Sequence, residues 1–459
     1  MTNLRTENPI FGTDGIRGRA LEGWLSVRAV EALGRAAGQV LGRAEGAPRA
    51  FIGHDGRRSA PALEAALARG LSAAGLEPVG VGLIPTPGLA WLTGDRDVRL
   101  GAMISASHNP SHDNGIKLFG HDGGKLSDEQ QHEIEERLRV EVDRANQRPP
   151  TDELAGRPER APAHEEAYLA HLLALSGKGL RLDGLTVVID CANGAGSRIA
   201  PRVLGRLGAQ VHIVAADPDG DNINDGCGST HPALLQEHVR ARKADIGIAL
   251  DGDGDRCILV DHRGRIIDGD GIMTVIAHDA AKRKAWKDRR IVATVMSNCG
   301  LRRALRDVDM DIVEVGVGDR AVVEGLRREG LTLGGEQSGH IVFGADNCYI
   351  GDGTLTALRV LDVMVRAKSD LATLADAFVP MPQVLINVPV ATKPALSTLT
   401  ELCALEARFV EELGQDGRVL LRYSGTEPKA RVMIEGPSEA RIQAMADDLA
   451  EVIRGAIGA

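Results

Sequence analysis

The chain has 459 residues, 43% of them hydrophobic and 26% charged, a balance that excludes a largely disordered polypeptide. At about 150 residues per domain it holds roughly three domains, and with 3% aromatic residues its cores must be filled by Ala, Leu, Val and Ile. Lys plus Arg number 54 against 64 Asp plus Glu, a net charge of −10, which excludes a general nucleic-acid or anionic-membrane binder; an anionic small substrate would need a local basic pocket.

The amino-terminal residues carry no apolar secretory core, and no uninterrupted apolar run reaches about 18 residues, so a cytoplasmic protein without a membrane span is expected. Cys191, Cys227, Cys257, Cys299, Cys348 and Cys403 are scattered and form no C-x-x-C pair, which reads as reduced thiols. Along the chain, helix and strand patterns alternate. Residues 26–42 place Val30, Leu33, Ala37, Val40 and Leu41 on one helical face. A short strand over 50–53, a helix over 61–75 opened by Pro61, and buried strands over 79–81 and 100–104 follow. Residues 144–166 are rich in Pro and charge and mark a boundary.

A second unit is expected to start with a strand at 185–190, followed by a helix near 198–208, strands at 211–214 and 245–250, and between them a helix near 232–243. A third opens near 266 with a helix, then strands at 291–295 and 311–315, a helix from Asp319, and a closing helix over 354–366. From about 380 the pattern changes to two-layer α+β, with strands at 385–390, 418–423 and 430–436 and helices near 397–413 and 438–455. The first three units read as α/β, a mostly parallel sheet covered by helices, and point to a threefold structural repeat.

Four segments carry chemistry. Residues 104–117, ISASHNPSHDNGIK, follow a buried strand, so Ser107, His108 and Lys117 sit where α/β folds place ligands; Ser107 reads as a nucleophile or phosphate carrier, or else as a polar turn. Residues 251–256, DGDGDR, also follow a strand. Treated as an extended segment, Asp251, Asp253 and Asp255 point to one side. Three converging carboxylates repel unless a hard cation such as Mg²⁺ or Ca²⁺ joins them. An EF-hand is excluded, because its sixth and twelfth positions would be Arg256 and His262. Arg256 and Lys117 would balance a phosphorylated serine beside that metal. In 334–340, GGEQSGH, the side chains of Glu336, Ser338 and His340 suit sugar hydroxyls, although the segment alone reads first as a Gly-rich turn with a capping Ser. In 422–431, RYSGTEPKAR, the residues Arg422, Ser424, Gly425, Thr426 and Arg431 have the composition of a phosphate cradle, without a Walker pattern, or else form a surface β-turn with incidental arginines. Arg17, in FGTDGIRG, has no role legible from that segment alone.

Taken in order, FGTDGIRG, SASHNP, DGDGDR, GEQSGH and RYSGTEP resemble the α-D-phosphohexomutase superfamily across nearly the whole chain. NINDGCGSTHP at 222–232 and VEVGVGDR at 313–320 resemble its glucosamine branch. The resemblance implies a four-domain, heart-shaped α/β architecture with a central cleft: residues 1–160 with the phosphoserine loop, 161–264 with the metal loop, 265–376 with the sugar loop, and a C-terminal α+β domain, 377–459, that binds phosphate. It implies that Ser107 carries the phosphoryl group and ligates Mg²⁺ together with Asp251, Asp253 and Asp255. Arg17, His108 and Lys117 would lie near the transferring phosphate, with Lys117 as general acid or base. Glu336, Ser338 and His340 would hold the sugar, and Arg422, Ser424, Gly425 and Thr426, backed by Arg431, the other phosphate. The implied reaction is reversible conversion of glucosamine 6-phosphate to glucosamine 1-phosphate, a step toward UDP-N-acetylglucosamine and cell-wall precursors. It would be primed by glucosamine 1,6-bisphosphate or glucose 1,6-bisphosphate; a phosphomannomutase or phosphoglucomutase on the same scaffold is the alternative. The implied partner is a small sugar phosphate, with a homodimer as the assembly to test. The chain departs from common relatives at His54, Gly56 and Ile350.

Overall fold

A computed structural model describes residues 9–12, 14–42, 48–94, 97–147, 152, 154–158, 163–415, 417–424 and 428–459. Its contacts divide into two compact units. One comprises residues 1–296 and 310–376; the other comprises 297–309 and 377–459.

The first unit contains three sheets built on one plan. In the first, β2 (Arg49–His54) pairs in parallel with β3 (Glu77–Leu83) and β4 (Val98–Ile104). The chain then reverses: β5 (Asp113–Gly120) runs antiparallel to β4, and β1 (Ile16–Arg19) lies antiparallel along β5. The second sheet repeats this with β6 (Thr186–Asp190) parallel to β7 (Gln210–Val214) and β8 (Ile246–Leu250). Antiparallel β9 (Cys257–Asp261) and β10 (Ile266–Ile267) complete it. In the third, β11 (Arg290–Thr294) is parallel to β12 (Asp311–Val315) and β13 (Gly334–Gly335), and β14 (Ile341–Val342) returns antiparallel to β13. The three chemistry-bearing loops, 105–112, 251–256 and 336–340, occupy the same place in the three sheets, the reversal from parallel to antiparallel pairing.

Helices cover these sheets. In the first domain α1 (Val27–Leu41) buries Val30, Leu33 and Ala37 against α2 (Ala60–Ala73), and Ser26 caps its first turn. The short α3 (Thr86–Thr93) follows β3. Next, α4 (Asp128–Asn146) starts from a reciprocal Ser127–Gln130 capping box and buries only Ile134, Leu138 and Val142 among its apolar residues. Then come α5 (Ala163–Leu175), α6 (Ala200–Arg206), α7 (Ala233–Arg242) and α8 (Gly269–Arg283). The third unit does not open on a helix at 266: residues 266–267 are β10, closing the second sheet. The boundary segment 144–166 is part helix, since α4 runs to Asn146 and α5 begins at Ala163; residues 148–151, 153 and 159–162 lie outside the described residues.

The second unit has a three-stranded antiparallel sheet of β15 (Gln383–Pro389), β16 (Arg418–Tyr423) and β17 (Lys429–Glu435). Here α9 (Cys299–Arg306) belongs to this unit despite its position in sequence. Buried Asn298 donates to Met381 O and to Glu435 Oε1, and the Cys299 amide donates to Glu435 Oε2. Five more helices follow: α10 (Asp319–Glu329), α11 (Gly353–Ala367) and α12 (Leu371–Ala375) lie in the first unit, while α13 (Thr400–Leu413) and α14 (Glu439–Ile457) pack Leu402, Phe409, Ile442, Leu449 and Ile453 against the C-terminal sheet. No helix among the described residues is long and apolar enough to cross a membrane.

A buried carboxylate cluster beside Ser107

Asp251, Asp253 and Asp255 converge, with one carboxylate oxygen of each within 4.8 Å of the others. The reason is not the extended geometry expected from the sequence. Residues 251–254 form a turn closed by the Gly254 amide donating to Asp251 O, and Gly254 takes a φ of +72°, which favours glycine. The first glycine serves a different need: a Cβ on Gly252 would lie 2.6 Å from Ser107 O and 2.7 Å from Asn224 Nδ2. Only glycine allows the acidic turn to approach the serine loop this closely.

Ser107 is 1% exposed and adopts a left-handed φ of +53°. Its Oγ donates to Asp251 Oδ2 at 2.7 Å, and His108 Nδ1 lies 3.3 Å from the same Ser107 Oγ. Lys117, on β5, points its ammonium at Asp253 Oδ2 (2.8 Å), Asp255 Oδ2 (3.4 Å) and Asp14 Oδ2 (2.8 Å). Thr86 Oγ1 also donates to Asp253 at 2.6 Å. Arg256 Nε stands 4.0 Å from Asp251 and 3.9 Å from Asp255. Arg17 reaches the cluster through Asp14, with which it forms an ion pair.

The charges settle each other. Burial, then the neighbouring Asp255 and Asp253, push the Asp251 carboxyl well above the usual range. Burial acts the same way on Asp255, but Lys117 and His340 outweigh it and hold that carboxyl low. Burial works against the Lys117 ammonium too, yet Asp14, Asp253 and Asp255 keep it charged well above its ordinary value. For His108, burial followed by Arg256 and Arg17 lowers the imidazole to about 4, so it is neutral at pH 7.

The donor set fits a hard divalent cation. Three carboxylates and a serine oxygen supply oxygen ligands only. Asp253 Oδ1 and Asp255 Oδ1 are buried and accept no hydrogen bond, and buried Arg256 Nε donates none. Such groups cost free energy unless a further partner satisfies them.

The loop after β13 lies beside this cluster. Glu336 Oε1 accepts from the Gly318 amide at 3.0 Å, Ser338 is exposed at the tip, and buried His340 places Nδ1 3.7 Å from Asp255 Oδ1. A cavity of about 240 Å³ opens here, lined among others by Lys117, Lys125, Asp255, Asp319, His340 and Tyr349. Burial lowers the His340 imidazole, but Asp255 outweighs it and holds the value at about 9. Because this exceeds the ordinary value of about 6.5, the pair stabilises the fold fully below about pH 6.5, and that contribution is lost as pH rises through about 9. The melting temperature of the metal-free protein should therefore fall across this window, and His340→Gln should flatten the fall. An unchanged slope in the variant would contradict the pairing.

On the C-terminal unit, Arg422 and Arg431 stand directly opposite each other across β16 and β17. Burial, then the Arg431 charge, lowers the Arg422 pKa. Like charges in this register repel, and an anion would relieve them. Ser424 is buried, its amide donating to Lys429 O and its carbonyl accepting from Lys393. Gly425 and Thr426 of the same loop lie outside the described residues.

Sequence reasoning missed Asp14, Thr86, Lys125 and Asp319. Lys125 forms ion pairs with both Asp14 and Asp319. Asp14 and Asp319 stand inside FGTDGIRG and VEVGVGDR, segments noticed without a role for their acids; nothing local marks Thr86 or Lys125.

A three-sheet repeat, a serine beside three carboxylates and a separate arginine-bearing sheet agree with family comparisons. Models of phosphoglucomutase/phosphomannomutase match as alpha/beta/alpha domain I over 8–144, domain II over 166–264, domain III over 268–381 and the C-terminal domain over 385–452. The chain belongs to this family and so to the phosphohexomutase isomerases. Within it, the chain is 47% identical to the phosphoglucosamine mutase of Renibacterium salmoninarum, over 97% of this chain and 98% of that one. The crystal structure of a phosphoglucomutase/phosphomannomutase family protein from Burkholderia thailandensis aligns with a TM-score of 0.80 at 27% identity, covering 99% of this chain and 98% of that chain. The N-acetylphosphoglucosamine mutase of Aspergillus fumigatus, solved in complex with GlcNAc-6P and magnesium, shares the fold with a TM-score of 0.62 at 20% identity, covering 97% of this chain and 95% of that chain.

Proposed function

We propose that this protein interconverts glucosamine 6-phosphate and glucosamine 1-phosphate through a phosphorylated Ser107. The observation that carries the reading is the Ser107 Oγ, 2.7 Å from Asp251 at the edge of three buried carboxylates. A serine in that position can carry a phosphoryl group only if cations offset the added charge. Lys117, Arg256 and a divalent metal held by Asp251, Asp253, Asp255 and the Ser107 oxygen would do so. Mg²⁺ is the ion we assign, in keeping with the magnesium complex of the Aspergillus relative. When bound, it supplies charge stabilisation for phosphoryl transfer.

In the forward half-reaction the free sugar hydroxyl attacks the phosphorus on Ser107. The new sugar O–P bond forms, the Oγ–P bond breaks, and Oγ leaves with the electron pair. We assign His108, whose Nδ1 lies 3.3 Å from Ser107 Oγ, to accept the hydroxyl proton, and Lys117 to general acid–base help that returns a proton to Oγ. The resulting 1,6-bisphosphate reorients, and Ser107 takes back the other phosphoryl group by the reverse step. Glucosamine 1,6-bisphosphate or glucose 1,6-bisphosphate would prime the cycle. Glu336, Ser338 and His340 are assigned to the sugar, Arg17 to the transferring phosphate, and Arg422, Ser424, Gly425 and Thr426, with Arg431 behind, to the non-transferring one. We assign the four domains as 1–160, 161–264, 265–376 and 377–459.

The glucosamine assignment rests on the relative from Renibacterium and on the segments shared with that branch. The test is competition among sugar phosphates. kcat/KM for glucosamine 6-phosphate is expected to exceed that for glucose or mannose 6-phosphate by about 10². Equal values would move the assignment to a phosphoglucomutase or phosphomannomutase.

A further inference from the structure

Arg57 is the largest fully buried side chain of the described residues, and nothing in the mechanism above uses it. Its guanidinium lies against Asp55, with Nε 2.8 Å from Oδ2. All other donors go to one loop. NH2 donates to Ser107 O at 3.0 Å and Asn109 O at 2.9 Å; NH1 donates to Pro110 O and, at 2.9 Å, to Asp113 O. From the other side comes Asn224, in the loop after β7. Its Nδ2 donates to the same Ser107 O at 3.0 Å and to Asn109 O at 3.2 Å. The Asn224 backbone is itself anchored, its amide donating to Ala192 O at 2.9 Å. The Ser107 carbonyl thus receives donors from two domains, and Gly252 leaves the room for the Asn224 amide to reach it.

Ser107 is held at a left-handed φ of +53°, a conformation that a serine adopts only when its surroundings impose it. Fixing the Ser107 carbonyl fixes the plane of the 107–108 peptide, and fixing the Asn109 carbonyl holds the loop just beyond it; together they restrain the backbone that aims Oγ.

We propose that Arg57 and Asn224 form a two-sided clamp on the Ser107 and Asn109 carbonyls and are positioning residues for phosphoryl transfer. The clamp aims Oγ at the acidic turn, and the Asn224 half makes that aim depend on the metal-loop domain. Neither side chain is in hydrogen-bonding contact with Oγ or the three carboxylates. The inference rests on Ser107 being the phosphoryl carrier.

The test uses the full chain, with Asn224→Gly as the main variant. Asn224 has a φ of +59°, which glycine accepts without strain, so only the amide is lost. Arg57→Lys is the second variant; it keeps a cation beside Asp55 but loses the fork that reaches four carbonyls. Each protein is phosphorylated with the bisphosphate, checked for folding by circular dichroism, and followed in a single turnover with glucosamine 6-phosphate. Misaligning the reacting oxygen is expected to lower kcat and the discharge rate about 10²-fold, with KM little changed. A merely structural role would lower the amplitude, through fewer folded molecules, and leave the rate alone. Folded Asn224→Gly that discharges at the wild-type rate overturns the clamp, even if Arg57→Lys fails to fold. Wild-type protein that never carries phosphate on Ser107 overturns the mechanism, and the clamp with it.

Discussion

Ser107→Ala is expected to abolish turnover, lowering kcat by roughly 10⁴-fold or more, as removing a covalent nucleophile does. Among the described residues, the neighbouring hydroxyls are engaged elsewhere: Ser105 Oγ donates to Asp55 Oδ2, and Thr86 Oγ1 to Asp253. The fold should survive. The change removes the Oγ hydrogen bond to Asp251 and the 3.3 Å contact with His108 Nδ1, together worth about 1–3 kcal/mol. Steady-state assay and circular dichroism on the same preparation check both halves. A folded variant keeping a substantial fraction of wild-type activity would remove Ser107 from the mechanism.

Asp253→Asn should be nearly as damaging, for a separable reason. The Asp253 carboxylate takes Thr86 and Lys117 on Oδ2 and leaves Oδ1 buried without a hydrogen bond. An amide keeps the shape and can still accept from Thr86 and Lys117 through its oxygen. It removes one of three charges that a divalent ion needs. We expect the activating Mg²⁺ concentration to rise and saturated kcat to fall about 10²–10³-fold, in line with losing a preorganised electrostatic group. Titration calorimetry with Mg²⁺ alone supplies a readout independent of activity. A variant that binds Mg²⁺ like the wild type would sink the metal assignment.

Much of this was legible from the chain. Buried strands ending in SASHNP and DGDGDR showed where the chemistry belongs, because the carboxyl ends of strands are where such folds expose polar loops. Lys117 was marked by proximity in sequence, but its place on β5, one strand across from Met103, is a matter of register. The long helix α4 was readable in principle: Ile134, Leu138 and Val142 recur every four residues behind a capping box, though its charge hides the stripe. The assignment of α9 to the C-terminal unit was not readable. It depends on Asn298 and Glu435, 137 residues apart, meeting through hydrogen bonds. The carboxylate cluster was found for an incomplete reason. Alternation suggested convergence, while the actual cause is a glycine turn pressed against the serine loop. Arg57 escaped notice because an arginine with no exposed surface is rare, and its partners are backbone carbonyls that leave no trace in side-chain patterns.

The most direct measurement is peptide mass spectrometry of the wild-type protein after incubation with glucosamine 1,6-bisphosphate and Mg²⁺, before and after adding glucosamine 6-phosphate. The account predicts phosphate on Ser107 that is lost when the monophosphate is added. No phosphate on Ser107 under any condition, or phosphate that the sugar cannot discharge, would contradict it and leave a sugar-phosphate-binding protein in its place.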